Sequence, residues 1–234
     1  MALSLAAATQ VGAITVTVSQ IAGYAGSDGE FNVNPVTGTG YAPSVLVAGG
    51  FETFCVARDV GISIPGTYDA VVNPNGTYVK QLPASPATTA TITKGTAYLY
   101  SQFASGVLSG YNYTPGAGRV DKANLLQLAL WTLEGQYSYG TLAQDLALNS
   151  FLVVAANQFG GGIAGLTAAM LANTSGGFGV GTLNLFYLAG NNAGKPAGTP
   201  AQSMLTLLPD GGTTLMLMGL GFSGLALVSR KLRA

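Results

Sequence analysis

The chain has 234 residues, of which only 8% are charged, with nine basic and nine acidic side chains and a net charge of zero. Without a basic patch in its body it offers nothing to nucleic acid, and the complete absence of His excludes His-based triads, His general bases and His metal sites. A single Cys, Cys55, excludes an internal disulfide and a Cys-rich zinc site, so neither a metal nor a cofactor is expected.

Residues 1–13 (MALSLAAATQVGA) are small and apolar, and Val11 and Ala13 stand two apart as at a signal-peptidase site. They read as a truncated signal peptide cut before Ile14, with a short first strand as the alternative. Residues 14–22 alternate as a strand does, and turns follow to about Asn34. Residues 44–58 hold two strands around Gly49-Gly50. Another strand runs over 66–72, and Asn73-Pro74-Asn75-Gly76 predicts a turn that makes 67–81 a hairpin. Residues 83–92 form a loop or an edge strand.

The apolar period then lengthens. Ala97, Leu99, Tyr100, Phe103, Ala104 and Val107 predict a helix over 93–108, capped by Thr93 or Thr96. A Tyr/Gly/Pro loop occupies 111–118. Asp121 is expected to cap a helix to about Glu134, and Thr141 another to Gln158. Gly160-Gly161-Gly162 interrupts the chain before a short helix over 164–172. The glycines of 177–181 precede a strand rather than open a helix, so they form a turn and not a phosphate loop. Residues 182–188 are a closing strand. The fold class is therefore α+β, an N-terminal β-rich half packed with the helices of the second half, plus a C-terminal single transmembrane helix. The globular domain is assigned to 14–188 and a flexible linker to 189–207.

The end of the chain has three parts. Leu208 and Pro209-Asp210-Gly211-Gly212 precede an uncharged run of 17 residues, 213–229, and Arg230-Lys231-Leu232-Arg233 follows it. Such a run meets the lower limit of the ~17–25 residues that span a bilayer, and the basic end favours a cytoplasmic C-terminus. A core helix is the competing reading, but the run lacks a polar face. Residues 208–234 resemble the PEP-CTERM class of sorting signals, in the variant where Pro-Asp-Gly replaces Pro-Glu-Pro. The resemblance implies recognition by an exosortase-type protease, with the membrane held through 213–229 before processing, and a place in the cell envelope or outside the cell.

In Leu125-Leu126-Gln127-Leu128-Ala129-Leu130-Trp131 every residue but Gln127 is apolar, so the helix is expected to be buried on most sides. A buried amide without partners costs about 1–3 kcal/mol, so Gln127 must be hydrogen-bonded or chemically altered. Phe54 and Val56 flank Cys55 in a strand, which puts Cys55 on the opposite face. Phe54-Cys55-Val56 and the Gln127 segment resemble the thioester domains of bacterial surface adhesins. Residues 97–104 likewise resemble the helix that precedes the Gln motif in exported PEP-CTERM proteins. The resemblance covers roughly 45–135 and implies a cross-link between Cys55 and Gln127. Such a bond would attach the protein covalently to a surface protein or polysaccharide.

Two other readings stay open. A buried Cys55 and a hydrogen-bonded Gln127 fit a non-covalent structural or carbohydrate-binding matrix protein equally well. The tyrosines at 98, 100, 111, 113, 137 and 139 would then supply contact surface, with the alternative that half of them line the core with their hydroxyls at the rim. A hydrolase using carboxylates among Glu52, Asp59 and Glu134 comes third; that these acids are solvated or pair with Lys122, Arg58 or Arg119 is the simpler expectation, and the chain is not expected to be an enzyme.

Overall fold

The computed structural model describes residues 14–24, 29–37, 50–80, 88–191 and 193–208. Residues 1–13, the strand expected over 44–49, Pro209-Asp210-Gly211-Gly212 and the apolar run 213–229 lie outside the described residues. Within them, helices and strands mix as the α+β class requires, and no single helix is long and apolar enough to cross a membrane.

Six strands form one antiparallel sheet: β1 (Ile14–Ser19), β2 (Phe31–Thr37), β3 (Phe51–Thr53), β4 (Gly66–Asn73), β7 (Val180–Tyr187) and β8 (Pro200–Leu207), in the order β3-β2-β1-β4-β7-β8. The two outer strands then meet. Cys55, just past β3, bridges Met204 of β8, and Val56 N–H donates to Ser203 O at 2.9 Å while Leu205 N–H donates to Phe54 O at 3.1 Å. The sheet thus curls into a near-barrel, which hides both edges that an open sheet would expose. Alternation fills it: Ile14, Val16 and Val18 of β1 are buried while Thr15, Thr17 and Ser19 are only half-buried. Phe31, Val33, Phe51, Tyr68, Ala70, Leu183, Leu185 and Met204 join them in one apolar cluster.

A second core lies between the outside of this sheet and the helices α1 (Lys94–Ala104), α2 (Ala117–Leu133), α3 (Leu142–Leu148), α4 (Ser150–Gln158) and α5 (Gly162–Ala169). Phe54, Val56, Val180 and Leu205 enter it from the sheet. Helix α2 serves both cores. Its Leu126, Leu130 and Leu133 pack in the helical core, while Leu128 and Trp131 pack against the barrel cluster. This is why its second half is apolar nearly all round.

Several expectations are corrected. The 67–81 segment is not a hairpin: β4 pairs with β1 and β7, whereas β5 (Thr77–Lys80) pairs with β6 (Thr88–Thr91) in a separate two-stranded sheet. The 73–76 turn does form, with Gly76 at φ 66, but Gly76 O then accepts from Ile92 N–H and sends the chain away from β4. Strand β2 replaces the turns expected up to Asn34: Phe31 and Val33 alternate with Asn32 and Asn34 as in a strand, but Asn and Pro35 are residue types that strands disfavour. Residues 200–207 of the expected linker are β8, paired with β7 along its length. Helix α2 begins at Ala117, after Gly116 at φ 136, rather than at Asp121. The helix expected from Thr141 to Gln158 is two, because Asn149 is extended and its Oδ1 caps α4 by accepting from Phe151 N–H at 3.0 Å. Thr141 does cap α3, through a full capping box with Gln144, and Thr93 caps α1.

Candidate functional site

The chain enters the site along β3 and continues extended through Cys55. Because Val56 N–H and Phe54 O are the groups bonded to β8, the N–H and C=O of Cys55 itself point the other way. They meet Gln127. Cys55 N–H donates to Gln127 Oε1 at 2.9 Å, and Gln127 Nε2 donates to Cys55 O at 2.8 Å. The primary amide stands in for a neighbouring strand, closing both backbone groups of one residue with a single side chain. Cys55 is 4% exposed and Gln127 0%. The Cys55 side chain belongs to the barrel cluster together with Phe51, Met204 and Trp131, while Phe54 on the opposite face belongs to the helical core. The two residues singled out in the sequence are therefore neighbours, 72 positions apart in the chain.

A second glutamine extends the pattern. Gln136 Oε1 accepts from Arg58 N–H at 2.7 Å, and its Nε2 donates to Val56 O at 2.9 Å. Gly29 covers the first. A Cβ there would lie 3.0 Å from Gln127 Oε1 and 2.9 Å from Phe54 Cδ1, so the backbone can lie against the amide only because it has no side chain.

The residue after Gly29 is Glu30, buried and bound into an ionic knot. Arg119 Nη2 donates to Glu30 Oε1 at 2.5 Å and Nε to Glu30 Oε2 at 3.1 Å, while Nη2 also pairs with Glu52 Oε2 at 2.8 Å. Tyr111 donates to Glu30 Oε2 at 2.5 Å, and the guanidinium lies 3.7 Å over the ring of Tyr24. Burial, with Glu30 beside it, raises the Glu52 carboxyl to about 7, and burial beside the same carboxylate raises the Tyr111 phenol. The knot ties together the three segments that carry Gly29, Cys55 and Gln127. Arg119 is one of the three cations the sequence offers to Glu52, Asp59 and Glu134, and Glu52 is the one of these acids it meets; the role of Glu30 was not legible, since nothing near it in sequence marks it as buried.

The carboxylates considered for hydrolysis do not converge. Glu52 belongs to the knot, and Asp59 is exposed. Glu134 lies buried at the end of α2, where it accepts from Thr93 N–H at 2.8 Å, Thr96 Oγ1 at 2.6 Å and Tyr78 Oη at 2.9 Å. It ends α2 and at the same time caps the start of α1, and burial raises its carboxyl. Among the described residues no group of three or more Cys, Asp or Glu side chains could hold a metal ion.

In comparisons with known proteins the chain matched no family model, no curated protein and no solved structure.

Proposed function

We infer that this is an exported cell-surface or extracellular-matrix protein, sorted through its C-terminal anchor by an exosortase-type protease, which attaches to its partner through a thioester between Cys55 and Gln127. The observation that supports the reading is the pair of hydrogen bonds between the Gln127 amide and the backbone of Cys55. They hold the amide against the one residue whose thiol could attack it.

The chemistry balances without a catalyst from outside. Cys55 Sγ adds to Gln127 Cδ, and the charge that develops on Oε1 faces the Cys55 N–H already bonded to it. The C–N bond breaks, nitrogen leaves as ammonia with the thiol proton, and a γ-glutamyl thioester remains. A lysine amine or a hydroxyl of the target then attacks the same carbon; the thiolate is the better leaving group and takes the proton. An amide or ester to Gln127 forms and Cys55 returns as a thiol. Trp131, Phe51 and Met204 keep the surroundings apolar, which slows hydrolysis of the thioester.

The same two bonds favour a second reading. They satisfy Gln127 as an ordinary structural residue, in a matrix protein that binds without covalent attachment. An intact mass of the full-length chain, purified in detergent without amines, separates the two. The thioester lowers the mass by about 17 Da, the ammonia lost, and methylamine then adds at Gln127 while one thiol appears. An unmodified mass with a titratable Cys55 thiol refutes the covalent reading.

A further inference from the structure

A cavity of about 360 Å³ lies beside the ionic knot, walled by Tyr24, Phe51, Tyr100, Phe103 and Tyr113, and among the described residues its charged lining groups are Glu52 and Arg119. Arg119 has little left to offer an anion. Its Nε and Nη2 are engaged by Glu30, Nη2 also by Glu52, and Nη1 donates to Tyr113 O at 2.6 Å. One guanidinium thus faces two carboxylates, and Glu30 takes two of its three contacts with them. Glu52 is the acid left short of counter-charge. Its Oε2 pairs with Arg119, and its other charged neighbour is the Glu30 carboxylate, which adds negative charge rather than removing it. Burial first, and then the neighbouring Glu30, raise the Glu52 carboxyl.

A carboxylate that shares its one guanidinium with a second acid, set in a wall of aromatic rings, is the recognition chemistry of a cation on an apolar stem. Ring faces attract the cation, and the carboxylate accepts a charge-assisted hydrogen bond. We propose that this cavity is a binding site for a primary alkylammonium group, the side chain of a lysine on a partner protein. A neutral glycan could stack on the same rings, but it would leave the charge deficit unanswered. The site is separate from the Cys55–Gln127 pair: neither residue lines it, and Glu52 stands about 10 Å before Cys55 along the strand. It therefore does not depend on a thioester.

The experiment uses the full-length chain carrying Cys55→Ala, which cannot form a thioester yet keeps the backbone groups that bind Gln127. Ligand-observed NMR titrations compare Nα-acetyl-lysine methylamide, its uncharged analogue Nα-acetyl-norleucine methylamide, and methyl glucopyranoside. The expected result is saturable binding of the lysine probe, weakened about tenfold or more by loss of its charge in the norleucine analogue and by Glu52→Gln. Ala104→Phe, which narrows the cavity without touching the knot, should also remove binding while the melting temperature holds. Equal binding of both amides, binding of the sugar alone, or no saturable binding of the lysine probe would each overturn the proposal.

Discussion

Replacing Gln127 by Leu tests whether the amide is the partner that residue 55 depends on. In a Cys55→Ala background, where no thioester forms, the substitution removes the bonds of 2.9 and 2.8 Å and leaves one N–H and one C=O buried without partners. Each such group costs about 1–3 kcal/mol, giving a loss of about 2–6 kcal/mol. Leu fills nearly the same space and gains about 1 kcal/mol from apolar burial, so the net destabilisation should be about 1–5 kcal/mol. Urea unfolding followed by Trp131 fluorescence measures it, because the indole packs in the barrel cluster one helical turn beyond Gln127. The midpoint should fall with the slope unchanged. A difference under about 0.5 kcal/mol, the range of ordinary surface substitutions, would refute the reasoning and show that residue 55 does not need this amide.

The pH dependence of stability should carry the mark of Glu52. Its folded carboxyl is raised from 4.5 to about 7 by burial and by Glu30, so the folded state binds the extra proton. Its contribution is complete below pH 4.5 and is lost as pH rises through 7, and urea midpoints at pH 5 to 8 should decline; Glu52→Gln should flatten that decline, and an unchanged slope would refute the assignment. The other buried carboxylate acts on helix packing: Glu134→Ala strips three donors, on Thr93, Thr96 and Tyr78, of their acceptor, and should cost about 3 kcal/mol or more in the same assay.

How much of the site could be read in advance depends on range. Thr93 and Thr141 cap their helices as their side chains suggest, because a cap is closed within three or four residues. The apolar surround of Gln127 correctly marked α2 as buried on most sides, since a periodic pattern survives whatever the helix packs against. Strand pairing is a different matter. Asn73-Pro74-Asn75-Gly76 makes its turn, yet the strands on either side enter different sheets, because β4 finds better partners in β1 and β7. Residues 200–207 look like the end of a linker, with Pro200, Gln202, Ser203 and Thr206 among them, and become a strand because β7 and the Cys55 segment both offer open edges.

By itself the sequence determined the α+β composition, the capped helices and the isolation of one Cys and one buried Gln in apolar surroundings, since these follow from local propensity and from side-chain period. Only the tertiary structure decided that the sheet curls until Cys55 meets Met204, that Gln127 then closes the two backbone groups left facing α2, and that Glu30 and Glu52 share Arg119. The physical reason is that a buried polar group takes whichever partner the fold brings within hydrogen-bonding distance, and residues 72 or 89 positions apart are brought there by packing, not by any pattern written near them in the chain.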